Sequence, residues 1–181
     1  MNIDNEKIYN DIKKSPENGF RSLMEQYGEP IYWHIRRLLV SHDDTQDAEQ
    51  ETFIKAFRSI DKLENAKALG SWLFRIATRE ALSVLEKNKK PQQMLDSIDD
   101  GNKTVDIEAD SYIDYSDVEA VKLQKAILSL PPKQQLAFNM RYYDEMDYRQ
   151  IAEVMETSAS TAKVNYHLAK EKIIKFMNSN D

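Results

Sequence analysis

The sequence predicts an all-α protein made of two small helical domains. Its 181 residues include only four Gly and five Pro, too few to supply the turns of a many-stranded β fold. Apolar residues recur at helical spacing in two blocks. A short acidic segment that opens with Pro and lacks a helical period separates these blocks. We therefore predict domains at residues 1–90 and 118–181, joined by a flexible linker at 91–117.

The N-terminal block reads as amphipathic helices. Pro30 is expected to kink or break the first of them. Ser41, Asp43 or Asp44 can cap the second helix. A polar loop leads to a third helix, for which Ser71 is the predicted N-cap. The predicted inward stripe of the second helix consists of Ala48, Thr52, Phe53, Ala56, Phe57 and Ile60.

The C-terminal block ends in two helical patterns separated by Glu156-Thr157. Two short helices joined by a tight turn predict a helix-turn-helix, whose second helix can enter a major groove. At 100° per residue, one face of the second helix is apolar and faces inward. Between Ser158 and Lys175 the chain carries four Lys and one Glu. The inward face holds Ala162, Tyr166, Ala169 and Ile173, and the opposite face holds Ser160, Lys163, Val164 and His167.

The distribution of charge keeps nucleic-acid binding open. A net charge of −6 seems unsuited to a protein that contacts phosphates through Lys and Arg. Residues 1–90 are neutral, however, residues 91–117 carry −7, and residues 118–181 carry +1. Because one segment holds the whole excess, both flanking domains can present basic faces.

Metal, redox and catalytic chemistry find no support in the sequence. There is no Cys, which excludes disulfides and thiolate metal sites. Asp96, Asp100 and Gly101 are spaced as in the start of an EF-hand calcium loop. Ile98 and Ile107, however, stand at the third and twelfth positions, where such a loop needs a polar ligand and a Glu carboxylate. No nucleophile, phosphate loop or metal cluster is visible, so we predict no enzyme activity, metal or cofactor. The three His residues are widely dispersed.

The N-terminus has no apolar core of a signal peptide. The longest uncharged apolar runs are far too short to span a bilayer. We therefore expect a cytoplasmic protein that does not insert into membranes.

Two groups of motifs resemble the sigma-70 family of bacterial RNA polymerase sigma factors. The stretch DDTQDAEQETFIKAF looks like region 2.2, and SWLFRIATREALSVLEK looks like regions 2.3 and 2.4. The stretch LSLPPKQQLAFNMRYYDEMDYRQIAEVMETSASTAKVNYHLAKEKI resembles region 4, with its leucine-proline turn and Ser-x-Thr-x-Lys helix. Region 2, a linker and region 4 in that order is the layout of the extracytoplasmic-function (ECF) sigma factors. The resemblance covers residues 18–90 and 118–177.

The resemblance implies a transcription initiation factor that directs core RNA polymerase to −10 and −35 promoter elements. The implied partners are promoter DNA, the clamp helices of the largest polymerase subunit and the flap of the second-largest subunit; an anti-sigma factor is a further candidate. It assigns core binding to Asp44, Asp47, Gln50 and Glu51, −10 binding to Lys62, Lys67, Leu69 and Arg79, and −35 binding to Arg149, Ser160, Thr161, Lys163, Val164, His167 and Lys170.

Three positions depart from the family pattern. Glu156 stands where the helix-turn-helix turn commonly has Gly, and a left-handed conformation there would cost about 1–2 kcal/mol. Arg79 stands where many members have Asn, and Leu69 stands where the residue is often aromatic. These last two departures bear on which −10 sequence is read.

Two other classes of protein fit parts of the pattern. A helix-turn-helix repressor or activator would use the N-terminal helices for dimerisation or sensing, bind duplex DNA alone and favour palindromic sites. A purely helical adaptor would bind no DNA.

Overall fold

The computed structural model describes residues 3–96 and 117–179. In these ranges the chain forms α-helices and short 3₁₀ turns and no strand, so the predicted all-α fold is confirmed. None of the helices in these ranges is long and apolar enough to cross a membrane. In chain order the elements are α1 (Asn5–Lys14), α2 (Pro16–Leu39), α3 (His42–Ser59), the 3₁₀ turns Ile60–Lys62 and Ala66–Ala68, α4 (Leu69–Asp96), α5 (Val118–Leu128), α6 (Pro132–Tyr142), α7 (Tyr148–Met155) and α8 (Ala159–Asn178).

The chain divides into two compact units, Met1–Asp110 and Ser111–Asp181, here called the N-terminal and C-terminal units. Helix α4 continues to Asp96 and so includes the first six residues of the predicted linker. Residues 92–95 are Gln, Gln, Met and Leu, which favour helix. Residues 97–116, with the rest of the predicted linker and most of the calcium-loop-like motif, lie outside the described residues.

Helix α2 lies at the centre of the N-terminal unit and packs against α1, α3 and α4. Leu23, Ile31 and Ile35 on α2 have none of their surface exposed. The helix runs through Pro30 without a break, and His34, also fully buried, forms a 2.9 Å hydrogen bond to Thr78 of α4 through its Nε2. Apolar and polar contacts together fix α4 against α2.

Side-chain caps mark the start of α3 and of the 3₁₀ turn that precedes α4. The Ser41 hydroxyl accepts the Asp44 N–H at 3.3 Å, so Ser41 is the cap among the three candidates. The prediction of Ser71 as the cap of α4 is wrong, because α4 already begins at Leu69. Asn65 caps the 3₁₀ turn that precedes α4, and this turn leads directly into the helix.

The C-terminal unit packs α5, α6 and α7 against α8. Asp147 and Gln150 form a capping box at the start of α7, in which each side chain accepts the backbone N–H of the other residue. Asn139 on α6 is 1% exposed, and its side-chain amide has no hydrogen-bond partner among the described residues. One buried cluster of the unit consists of Ala126, Ile127, Leu130, Phe138, Ala169 and Ile173.

Candidate functional site

A tight turn after α7 sets the direction of α8. Glu156 adopts the left-handed conformation, with φ 52° and ψ 50°. The backbone N–H groups of Glu156 and Thr157 both donate to the Ala152 carbonyl, the second at 2.9 Å. The Thr157 bond is the 6→1 bond of a Schellman motif, and the Glu156 bond is the 5→1 bond of the simpler αL motif. Helix α8 starts after Ser158, whose hydroxyl accepts the Thr161 N–H at 3.1 Å. The predicted helix-turn-helix is present, and it holds a non-glycine residue in the left-handed region.

The outer face of α8 is exposed, and its inner face is buried. Ala162 and Ala169 have no exposed surface, whereas Val164 on the other side is 56% exposed. The Ser158 hydroxyl lies 2.9 Å from that of Ser160 and also contacts Thr161, so three hydroxyls gather at the N-terminus of the helix. All residues predicted to bind the −35 element are exposed: Arg149 in the first turn of α7, and Ser160, Thr161, Lys163, Val164, His167 and Lys170 on α8.

The segment from Ile60 to Leu69, which we call loop 60–69, connects α3 to α4 and buries every third residue. A spacing of three is the repeat of a 3₁₀ helix. Lys62 and Lys67 project from the loop as exposed residues. Arg79 is also exposed, but it lies on α4 about 15 Å along the helix axis from Leu69. The residues that the loop buries are Ile60, Leu63, Ala66 and Leu69.

The burial of Leu69 corrects one predicted site residue. Its side chain is 0% exposed, so it belongs to the core of the N-terminal unit and not to its surface. The four predicted −10 residues therefore reduce to two exposed lysines in loop 60–69 and an exposed arginine further along α4.

The residues predicted to bind the polymerase lie on α3 in different surroundings. Asp47 and Gln50 are exposed. Asp44 accepts a hydrogen bond at 3.1 Å from Asn88 of α4. Glu51 lies 3.6 Å from Lys55 Nζ, which also makes a 2.7 Å ion pair with Glu80 of α4. Asp44 thus ties α3 to α4, Glu51 contacts the lysine of its own helix that does the same, and Asp47 and Gln50 are exposed to the solvent.

An apolar groove with a volume of about 870 Å³ runs between α2 and α3, which we call the α2–α3 groove. Met24 and Phe57 on its walls are 48% and 47% exposed. The prediction that Phe57 faces the core is therefore wrong: its ring meets the edge of Phe20 at 5.1 Å and leaves its other side open. Burial raises the pKa of Glu49, which also lines the groove. The full lining is Phe20, Met24, Gly28, Gln46, Glu49, Gln50, Phe53, Ile54, Phe57 and Arg58.

The fold defines a DNA-binding protein of the helix-turn-helix class, with a second helical unit that carries an apolar groove. Family models narrow this class. The model of Sigma-70 region 2 matches residues 23–90, and that of Sigma-70, region 4 matches residues 120–173. The chain belongs to the sigma-70 family.

Curated relatives carry the same family name. The chain is 29% identical over 172 residues to the ECF RNA polymerase sigma factor SigW of Bacillus subtilis, a match that covers 91% of each chain. It is 27% identical to the ECF RNA polymerase sigma-E factor of Escherichia coli, over 90% of this chain and 88% of the relative. These matches extend over both units and place the chain in the ECF group of the family.

Solved structures share the fold. CnrH, in its complex with the cytosolic domain of CnrY, matches 98% of this chain with a TM-score of 0.74 and 14% identity. The sigma factor RpoE of Bartonella quintana, in its complex with the anti-sigma factor NepR, matches 90% of this chain with a TM-score of 0.69 and 20% identity.

Sequence reasoning missed three features of these surfaces. It assigned Phe57 to the core, did not single out Met24 as exposed, and predicted no helix before residue 16. Helix α1 could have been found, because Asp4 is a good N-cap and Ile8 and Ile12 share one helical face.

Proposed function

We propose that the two units of this transcription initiation factor bind different partners and different promoter elements. Region 2, predicted over residues 1–90 and extended by α4 to Asp96, binds core polymerase and the −10 element in the N-terminal unit. Region 4, predicted over residues 118–181, binds the −35 element in the C-terminal unit, and the rest of the predicted linker joins the two regions. Family membership supports the role, and one observation carries the division: each unit presents its own exposed surface, the groove in one and the helix-turn-helix in the other.

The α2–α3 groove is the proposed docking site for the clamp helices of the largest polymerase subunit. An apolar groove between two helices suits a partner helix, which buries its own apolar face there. Phe57 and Met24 supply exposed apolar surface inside the groove. Gln50 lines the groove and Asp47 is exposed one turn before it, so the predicted polar residues surround an apolar centre, which is the usual anatomy of a protein interface.

Helix α8 is the proposed reader of the −35 duplex. Lys163 and His167 lie one turn apart on its exposed face and can reach base edges in the major groove. Val164, 56% exposed, offers an apolar contact to a thymine methyl. Arg149 and Lys170 are exposed cations for backbone phosphates, and the hydroxyl-rich start of α8 is suited to a phosphate as well. The flap of the second-largest subunit is the proposed polymerase partner of this unit.

Loop 60–69 and α4 are the proposed −10 surface. Lys62 and Lys67 provide positive charge next to the unpaired −10 strand of the promoter DNA. Arg79, further along α4, contacts the promoter as well. Leu69 does not contact DNA in this proposal; its buried side chain anchors the end of loop 60–69 in the core. We propose that the protein works in the cytoplasm, where its polymerase is found. An anti-sigma factor is a proposed regulator, since RpoE, with the same fold, is in complex with one.

The docking proposal is tested by replacing Phe57 with Gln. Burying a whole Phe side chain contributes about 1.5–3 kcal/mol, and about half of this surface remains exposed before docking. We expect Phe57→Gln to weaken binding to core polymerase by about three- to tenfold. Val118→Gln is the matched control, because Val118 is 75% exposed on the other unit and outside the groove.

Titration of labelled chain with core polymerase measures the affinity for core, and transcription with core plus chain measures promoter-directed initiation. Equal affinities for core in the wild type and in Phe57→Gln would refute the groove assignment. Specific binding of the chain alone to duplex DNA, without affinity for core, would instead favour the repressor or activator alternative.

A further inference from the structure

A tyrosine of α1 holds the backbone of loop 60–69. The Tyr9 hydroxyl lies 3.2 Å from the carbonyl oxygens of both Leu63 and Glu64. A hydroxyl has one hydrogen to donate, and the two adjacent acceptors can share it. This contact joins residues that are more than fifty positions apart in sequence, and it falls between the two 3₁₀ turns, midway between Lys62 and Lys67.

Helix α1 is itself firmly placed. A Cβ atom added to Gly19 of α2 would lie 2.2 Å from the backbone nitrogen of Ile12, so the two helix backbones are in direct contact there. At the other end of α1, the hydroxyl of Tyr27, a residue 4% exposed, donates to Asn5 Oδ1 at 2.7 Å. A Cβ atom added to Gly70 of α4 would lie 2.9 Å from the same hydroxyl. Helix α1 therefore bridges α2 and the beginning of α4.

Buried side chains hold the side of loop 60–69 that faces the core, and hydrogen bonds hold its backbone. Leu63 is buried at 4% exposure, while Glu64 and Asn65 beside it are exposed. Asn65 Oδ1 accepts the Ala68 N–H at 3.0 Å, which fixes the second 3₁₀ turn. The Tyr9 hydroxyl meets the carbonyl groups just before that turn.

We propose that Tyr9 is a positioning residue for promoter opening: it fixes the path of loop 60–69 so that the lysines on either side meet the unpaired −10 strand in a set geometry. This inference rests on the proposed function of the loop. Tyr9 itself need not touch DNA. Its removal should loosen the loop, slow the capture of unpaired bases and reduce discrimination between bases at −10.

Tyr9→Phe removes only the hydroxyl, and Tyr32→Phe is a matched control. The Tyr32 hydroxyl makes a 2.8 Å hydrogen bond to His42 at the junction of α2 and α3, away from the loop. Each variant removes one hydroxyl of the same unit that makes a partly buried contact. Their unfolding midpoints can be compared through Trp33 and Trp72, which both lie in the N-terminal unit.

The experiment uses holoenzyme assembled from core polymerase and full-length chain, on a promoter that the wild-type holoenzyme selects from a library randomised at −10 and −35. Permanganate reactivity measures opening, the rates on single-base −10 variants measure discrimination, and amide hydrogen exchange over residues 61–68 measures the order of the loop. We expect Tyr9→Phe to speed exchange and to slow opening by about two- to tenfold, the range of one lost hydrogen bond. A promoter already mismatched at −10 should restore most of the rate, and Tyr32→Phe should stay within about twofold of wild type.

Equal opening and discrimination by Tyr9→Phe and Tyr32→Phe would overturn the inference, as would unchanged exchange in the loop. Failure of the wild-type holoenzyme to open any selected promoter would overturn the proposed function first, so the two failures can be told apart.

Discussion

The strain at Glu156 can be measured by comparing glycine and alanine at this position. A residue with a Cβ pays about 1–2 kcal/mol in the left-handed conformation, which Glu156 adopts with φ 52°. Glycine avoids this but loses about 0.4–1 kcal/mol more through the entropy of its unfolded chain. The difference leaves Glu156→Gly more stable than Glu156→Ala by about 0.8 kcal/mol. Both substitutions remove the same side chain beyond Cβ, so the comparison isolates the backbone.

Glu153 supplies the internal control, because it is an exposed residue of α7 with ordinary helical geometry. There alanine should be more stable than glycine by about 1 kcal/mol. The sign of the glycine–alanine difference should therefore reverse within three residues.

Amide hydrogen exchange of α7 and α8 is the suitable assay, since both Trp residues lie in the N-terminal unit and their fluorescence does not report on this turn. We expect exchange about fourfold slower in Glu156→Gly than in Glu156→Ala, and about fivefold faster in Glu153→Gly than in Glu153→Ala. Alanine equal to or better than glycine at 156 would refute the argument from strain.

Three further predictions concern other parts of the molecule. Burial raises the pKa of Glu49, so the stability that its protonated form contributes is present below the unfolded pKa of about 4.3 and is lost as the pH rises through the folded pKa. Glu49→Gln should therefore stabilise the N-terminal unit at neutral pH, and this gain should vanish in acid. Urea unfolding followed by Trp fluorescence at both pH values measures the difference. Replacing the buried amide of Asn139 by Leu should stabilise the C-terminal unit by about 1–3 kcal/mol, measured by exchange of α6 amides; faster exchange would contradict this. Lys163→Ala and His167→Ala should weaken −35 recognition by about 1–3 kcal/mol for each lost base contact, and a promoter mismatched at −10 should restore their transcription less than that of Arg79→Ala; equal restoration would remove the division between −35 and −10 roles.

The helices could be predicted from sequence because periodicity and caps are local signals. Local rules narrow the cap of α3 to Ser41, Asp43 or Asp44, but they disfavour a left-handed Glu156, and only the family position of this residue raises that conformation. Phe57 shows where this reasoning stops: it lies four positions after the buried Phe53 and shares its helical face, but periodicity cannot tell how far the neighbouring α2 covers that face. The family position of Leu69 predicts a surface residue, whereas the apolar spacing of three along loop 60–69 is the signal that indicates a buried one. The hydrogen bonds of Tyr9 join segments that are distant in sequence, so no local pattern predicts them.

The exposed aromatic surface of the α2–α3 groove also affects the life of the unbound protein. Phe57 and Met24 leave nearly half of their surface in water, and such patches favour non-specific association when their partner is absent. A chain made in excess of its polymerase would thus be the form most exposed to aggregation and to cellular quality control. The residues proposed to dock on the polymerase would therefore also limit how much uncomplexed protein a cell can store.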